Sequence, residues 1–121
     1  MILVDTSVWV DHLRKGEPDL ARLLNDGEVL IHAYVVGELA LGRLQRRAVL
    51  QELQRLPQAP VASPAEVLGY IESVSLFGMG IGYVDAHLLS STALSPFTKL
   101  WTRDKRLRTA SQELGLCASL A

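Results

Sequence analysis

Four acidic residues stand out because of the sequence around them, and they are referred to below as the four acids: Asp5, Glu38, Asp85 and Asp104. Asp5 directly follows three consecutive apolar residues, a pattern typical of a strand buried on both faces. Glu38 interrupts the apolar stretch YVVGELAL, where an acid is rarely found unless it is paired or bound to a cation. Asp85 and Asp104 each open a predicted helix. Because ligands of parallel α/β proteins bind beyond the carboxyl ends of the strands, the four acids could meet at that edge.

The chemistry of such a cluster follows from its charge. Carboxylates about 4 Å apart repel each other by roughly 4 kcal/mol per pair at an effective dielectric constant near 20, so they need a cation or shared protons. Oxygen ligands without His or Cys partners favour Mg²⁺ or Mn²⁺ over zinc, and the three histidines and single cysteine show no zinc spacing. A cation held this way polarises a phosphate and activates water. The pattern therefore indicates metal-dependent phosphodiester hydrolysis.

Each acid also has a simpler interpretation when it is taken alone. Asp85 and Asp104 fit helix N-caps or first-turn acids, which stabilise a helix by about 0.3–1 kcal/mol. Asp5 fits a turn-forming residue. Glu38 fits least well, because it lies more than a turn inside its predicted helix. The four acids favour a functional site as a set and not one by one.

Hydrophobic periodicity and helix-capping signals predict the strands and helices that carry the four acids. Strands are predicted at Ile2–Val4, Val29–Ile31 and Lys99–Thr102. Helices are predicted at Ser7–Lys15 (capped by Thr6 or Ser7), Asp19–Asn25, Ala33–Leu44, Ala48–Leu56, Ser63 to Ser75 or Phe77, Tyr83–Thr92 and Asp104–Leu114. Strands that alternate with helices imply a parallel sheet sandwiched between helices.

Length and composition set the limits of the interpretation. The 121 residues fit one domain, 1–121, and 49% of them are hydrophobic, which is enough for a proper core. A net charge of −1 argues against a globally basic nucleic-acid binder but allows local basic patches. The single cysteine precludes an intrachain disulfide, and no apolar run approaches the ~20 residues of a membrane span. With no signal peptide visible at the N-terminus, we expect a cytoplasmic protein without membrane association.

Four motifs carry a resemblance to a known family. They are MILVDTSVWVDHLR at the start, VVGELALG in the middle, GYVDAHLL later and LWTRDKRL near the end. In order and spacing they resemble a PIN-domain ribonuclease of the VapC type, the toxic half of a type II toxin–antitoxin pair. Each motif is weak alone, but the four in order span nearly the whole chain.

The resemblance implies a fold, an activity and a set of roles. The fold would be a three-layer α/β/α sandwich around a mainly parallel sheet of four or five strands. The activity would be Mg²⁺- or Mn²⁺-dependent cleavage of RNA by the four acids, with Asp5 and Asp85 as the most direct metal ligands. Thr6, Ser7 and Thr102 would hold the pocket by hydrogen bonds. His32 departs from many relatives, which have Ser or Thr before the Glu-bearing helix, and this leaves the cap of that helix open.

The resemblance also implies partners: an RNA substrate, a cognate antitoxin and a second copy of the chain in a homodimer. Basic residues near the acids are candidate RNA contacts, although a solvated helix face explains them equally well. These are Arg43, Arg103, Lys105 and Arg106. Five leucines could line a groove for an antitoxin helix or could belong to the core. They are Leu20, Leu24, Leu41, Leu50 and Leu53.

Three other classes of protein fit these residues less well. An aspartyl-phosphate hydrolase of the haloacid dehalogenase type needs a second Asp two residues after the first, where this chain has Ser7. A response-regulator receiver needs an acidic pair after the first strand and a phospho-accepting Asp after the third, and neither is present. A non-catalytic module of the same fold, binding RNA or antitoxin, stays as the alternative, and the presence of all four acids speaks against it.

Overall fold

A computed structural model describes residues 1–42 and 47–121 of the chain. Three strands alternate with seven helices in this part of the chain. In order the elements are β1 (Ile2–Val4), α1 (Thr6–Lys15), α2 (Pro18–Asn25), β2 (Val29–Leu30), α3 (Ala33–Leu41), α4 (Arg47–Leu53), α5 (Pro64–Ser73), α6 (Tyr83–Leu94), β3 (Lys99–Trp101) and α7 (Lys105–Glu113).

The strands form one parallel sheet in the order β2-β1-β3. Leu3 of the central strand pairs with Leu30 on one side and with Leu100 on the other. Isolated parallel bridges, Ile31 to Gln58 and Leu100 to Cys117, extend the sheet at its two edges. The expected α/β architecture with a parallel sheet is confirmed. The expected count of four or five strands is wrong for the described residues, because the two outer segments pair through a single bridge each.

The core lies on both faces of this short sheet. Leu3, Val4 and Leu100 have no exposed surface, which explains why β1 reads as an uninterrupted apolar run. Trp9 and Trp101 are each only 1% exposed and act as packing residues. No helix in the described ranges is long and apolar enough to cross a membrane.

Local capping signals account for where several helices begin. Ser63 and Glu66 form the capping box predicted at the start of α5, with reciprocal bonds of 3.1 and 2.9 Å. The predicted cap of α1 by Thr6 or Ser7 is wrong: Asp5 occupies the N-cap position, and its side chain makes no capping bond. Thr6 and Ser7 use their hydroxyls in the site described below.

The helix that carries Glu38 is capped by His32. Its Nδ1 accepts a 3.0 Å bond from the backbone N–H of Tyr34, which is the bond that Ser or Thr makes at other N-caps. Within the described residues α3 ends at Leu41, and the predicted extension to Leu44 lies partly outside them. His32 therefore supplies the cap that the sequence had left open.

Candidate active site

Asp5 is the buried acid of the site. It follows β1, is 6% exposed, and its backbone N–H donates to Trp101 O of the neighbouring strand at 2.9 Å. Its Oδ2 accepts hydrogen bonds from the hydroxyls of Ser7 (2.8 Å) and Thr102 (2.7 Å). Two donors on one oxygen fix the position of the carboxylate.

Asp104 is joined to Asp5 through Thr102. The backbone N–H of Asp104 donates to Thr102 Oγ1 at 3.1 Å, and the Asp104 side chain caps α7 by accepting from Leu107 N at 3.0 Å. Asp104 is therefore the N-cap residue of α7, as its simpler interpretation predicted. The same residue is exposed beside the Asp5 network, which the capping role alone does not require.

Glu38 reaches the same region from α3. Its Oε1 accepts a 2.7 Å bond from the hydroxyl of Thr6, the residue next to Asp5. Glu38 is exposed, because α3 buries Val35, Val36 and Leu39 on its other face. The apolar sequence around Glu38 thus reflects the core face of its helix and not burial of the acid itself.

Asp85 lies in the first turn of α6, and its Oδ2 accepts a 3.1 Å bond from Gly82 N. Burial raises the pKa of its carboxyl group above the ordinary value, and the Gly82 bond opposes this. The negative charges of Asp5, Asp104 and Glu38 raise that pKa further. The other three acids therefore lie within electrostatic reach of Asp85.

This arrangement is looser than a closed metal cage. Within residues 1–42 and 47–121, no three His, Cys, Asp or Glu groups lie close enough to hold one ion together. The donor set still fits Mg²⁺, which typically keeps several of its waters and is bound by one or two carboxylates. The hydroxyls of Thr6, Ser7 and Thr102 each donate a hydrogen bond to one of these carboxylates.

Arg103 has a role that the sequence did not suggest. Its Nη1 lies 2.6 Å from Asp11 Oδ2 and 2.8 Å from Glu17 Oε1, and its Nη2 lies 3.0 Å from Glu17 Oε2. These bonds raise the pKa of Arg103 and lower that of Glu17. The guanidinium is thus engaged with protein carboxylates. The residues involved are too far apart in sequence for any local pattern to reveal the contact.

The other predicted RNA contacts are arranged differently. Lys105 and Arg106 are exposed in the first turn of α7, beside Asp104. Arg106 Nη1 lies 3.4 Å from Gly80 O, in the loop before α6. Arg43 lies outside the described residues.

Two buried histidines belong to the elements that carry the acids: His32 caps the helix of Glu38, and His87 lies in the helix of Asp85. His32 is fully buried, and its Nε2 lies 3.1 Å from Ser91 Oγ, which donates in turn to Pro60 O at 2.6 Å. Burial lowers the pKa of His32 to about 4, with a smaller contribution from His87.

His87 is 1% exposed and contacts the rings of Tyr34 and Tyr83 edge-on, with ring centres 4.7 Å apart in each case. Burial lowers the pKa of His87 as well. Both histidines are therefore structural groups in this fold.

Comparison with known proteins agrees with this architecture. The family model for the PIN domain matches residues 2–112. Ribonuclease VapC32 of Mycobacterium tuberculosis, from strains CDC 1551 / Oshkosh and ATCC 25618 / H37Rv, is 50% identical over 117 residues. The match covers 96% of this chain and 94% of the relative. The chain therefore belongs to the PIN-domain family and, within it, to the VapC type.

Proposed function

We propose that this protein is an Mg²⁺- or Mn²⁺-dependent endoribonuclease, the toxic component of a type II toxin–antitoxin pair. The four acids would form its active site and hydrolyse RNA phosphodiester bonds. The observation that best supports this is the hydrogen-bond network around Asp5: Thr102 donates to Asp5 Oδ2 and accepts from the backbone N–H of Asp104, and Thr6, next to Asp5, donates to Glu38. Carboxylates held together in this way, in a chain 50% identical to a named ribonuclease, favour a cation-dependent nuclease.

The residues of the chain would divide the work between them. When bound, the metal ion supplies polarisation of the phosphate and an activated water. Ser7 and Thr102 both bind Oδ2 of Asp5, which leaves the other oxygen, Oδ1, to face a cation. Thr6 orients Glu38, and the Gly82 N–H orients Asp85. Because these carboxylates are held before substrate arrives, little reorganisation is needed in the reaction.

The RNA backbone would approach over α7. Lys105 and Arg106 are exposed there next to Asp104 and can neutralise phosphates on either side of the cut. Arg103 is excluded from this set because Asp11 and Glu17 occupy its donors. Arg43 stays a candidate contact by its sequence position alone.

A cognate antitoxin and a second copy of the chain complete the proposal. Of the five leucines considered for an antitoxin groove, Leu20 and Leu53 belong to the core, Leu50 is half-buried and Leu41 is 88% exposed. Leu24 is half-buried and borders an open groove of about 250 Å³ with Trp9, Leu13 and Leu56. An amphipathic antitoxin helix would place its apolar face there. Light scattering of the free chain tests the homodimer.

The proposed activity is tested with purified protein and a total RNA pool, in Mg²⁺, in Mn²⁺ and in EDTA. Asp5→Asn keeps the shape of the side chain and removes its charge. Asp26→Asn, in the exposed turn after α2, is the matched control. We expect metal-dependent cleavage by the parent and the control, and none by Asp5→Asn.

Two outcomes contradict the proposal. Cleavage that survives EDTA, or that is equal in Asp5→Asn, excludes the four acids as the site. RNA binding without cleavage under all metal conditions identifies instead a non-catalytic module of the same fold.

A further inference from the structure

A pocket of about 260 Å³ lies beside Asp85, between the end of α5 and the start of α6. Its walls are apolar side chains and the backbone of a glycine-rich loop, residues 78–82. The apolar side chains are Ile71, Leu76, Phe77, Ile81, Tyr83 and Ala86. A flat aromatic ring fits an apolar slot of this size, whereas a folded helix does not.

Tyr83 gives the pocket an aromatic wall. Its side chain is 50% exposed, although its ring is in edge-to-face contact with His87. His87 is itself fixed from another side by Tyr34. The Tyr83 ring is therefore exposed and supported at once, so little side-chain freedom is left to lose when something stacks on it.

The pocket borders Asp85 of the proposed active site. Gly82 lines it and also donates its backbone N–H to Asp85 Oδ2. Gly80 lines it too, and its carbonyl oxygen lies 3.4 Å from Nη1 of Arg106, two residues after Asp104. The apolar pocket, the guanidinium of Arg106 and the carboxylate of Asp85 thus adjoin on one stretch of surface.

We propose that this pocket binds one unstacked nucleobase of the RNA substrate, stacked on Tyr83, next to the phosphate that is cut. A nucleotide combines a flat apolar face with an attached negative charge, which matches the aromatic wall and the neighbouring Arg106. Recognition of single-stranded RNA commonly depends on splayed bases stacked on aromatic side chains. This inference rests on the proposed ribonuclease activity and adds a subsite to it.

The test measures binding, so that cleavage does not interfere. The probe is a short fluorescent single-stranded RNA spanning a site that the parent chain cuts, and Asp5→Asn is the binding background. Abasic nucleotides are placed one at a time along the probe. We expect one position next to the cut to weaken binding by about 5- to 150-fold, the range for losing one base–aromatic stack.

Tyr83→Ala in the same background identifies the pocket. Tyr83→Ala should weaken binding of the intact probe to a similar extent, and the abasic substitution at that position should then cause no further loss. Tyr83→Phe should bind the intact probe and the abasic probe with the same affinities as the background protein. Phe77→Ser, at a 69% exposed position of the pocket, is a second variant that spares the core. Phe97→Ala is the matched control, because Phe97 is 97% exposed and precedes β3 at the other end of the sheet.

The results separate this inference from the proposed activity. Suppose that cleavage is metal-dependent and is lost in Asp5→Asn, but that no abasic position weakens binding. This result overturns the base pocket alone. Additive losses from Tyr83→Ala and the abasic position overturn it as well, because the two changes then act at different places. Failure of the parent to cleave any RNA with either metal overturns both proposals.

Discussion

At the scale of single residues, the position of Asp5 depends on two hydroxyls. Ser7 and Thr102 both donate to its Oδ2, and Thr102 also accepts from the backbone N–H of Asp104. Thr102 is fully buried and Asp5 is only 6% exposed, so water cannot readily replace the lost hydroxyl at Asp5. One hydroxyl thus fixes two of the four acids.

Thr102→Val removes that hydroxyl and keeps the shape of the side chain. We expect the free energy of unfolding in urea to fall by about 1–3 kcal/mol, because a buried charged acceptor loses a donor. RNA cleavage should fall as well. The control is Thr92→Val, which removes a buried 2.7 Å bond to Leu88 O within α6. An unchanged cleavage rate in Thr102→Val, or an equal loss of activity in Thr92→Val, would contradict the positioning role.

His32 makes the stability of the fold depend on pH. Its pKa is about 4 in the folded chain against 6.5 ordinarily, so between these values the unfolded chain binds more protons. Stability should therefore fall as the pH drops from about 6.5 towards 4, by on the order of 3 kcal/mol at the end.

Chemical unfolding of the parent and of His32→Asn at several pH values checks this. Asn can cap α3 but does not titrate. The raised pKa of Asp85 acts in the opposite direction, and it cancels in the difference because both proteins carry it. We expect the free energy of unfolding of the parent, minus that of His32→Asn, to fall as the pH drops from about 6.5 towards 4. A gap that is constant from pH 7 to 4 would contradict the assignment.

At the scale of elements, the loop before α6 depends on glycines with left-handed backbone. Gly78 and Gly80 have φ of +79° and +75°. A Cβ at Gly78 would meet nothing within 4 Å, whereas one at Gly80 would lie 2.9 Å from Nη1 of Arg106. The two positions therefore share the backbone constraint and differ in their neighbour.

Gly80→Ala and Gly78→Ala form a matched pair. Both should lose about 1–2 kcal/mol of stability from the left-handed backbone. Only Gly80→Ala should move Arg106, and the slope of log affinity for single-stranded RNA against log salt should then become shallower by about 0.7. Equal salt slopes in the two variants would show that Arg106 does not contact the RNA backbone.

Arg103 ties three elements together. It follows β3 and binds Asp11 of α1 and Glu17 before α2, and its guanidinium lies 5.7 Å from the ring centre of Trp101. Arg103→Ala should lower the melting temperature clearly. The melting temperature of Arg103→Lys should lie between those of the parent and of Arg103→Ala, because an ammonium cannot bind Glu17 through two nitrogens. Arg22→Ala, which breaks an exposed pair with Asp19 at 3.4 Å, is the control and should have little effect. Equal melting temperatures for Arg103→Ala and Arg22→Ala would be the contradicting result.

At the scale of the whole molecule, the sequence predicted best what local patterns determine. The apolar run before Asp5 and the Ser63 capping box identify their elements directly. The exposure of Glu38 could not be predicted in this way, because it depends on which face of α3 meets the core. The Arg103 contacts join segments that are far apart in the chain, and only the packed structure brings those together. The pocket beside Asp85 lies within residues 71–86, but it forms only where the end of α5 meets the start of α6.

We propose that the four acids surround one divalent cation site, and crystals grown with Mn²⁺ test this proposal. Anomalous diffraction at the manganese edge locates the ion without any assay of activity. We predict a peak among the carboxylates of Asp5, Glu38, Asp85 and Asp104, and none in crystals of Asp5→Asn. A peak elsewhere on the chain, or no peak at saturating Mn²⁺, would contradict the claim.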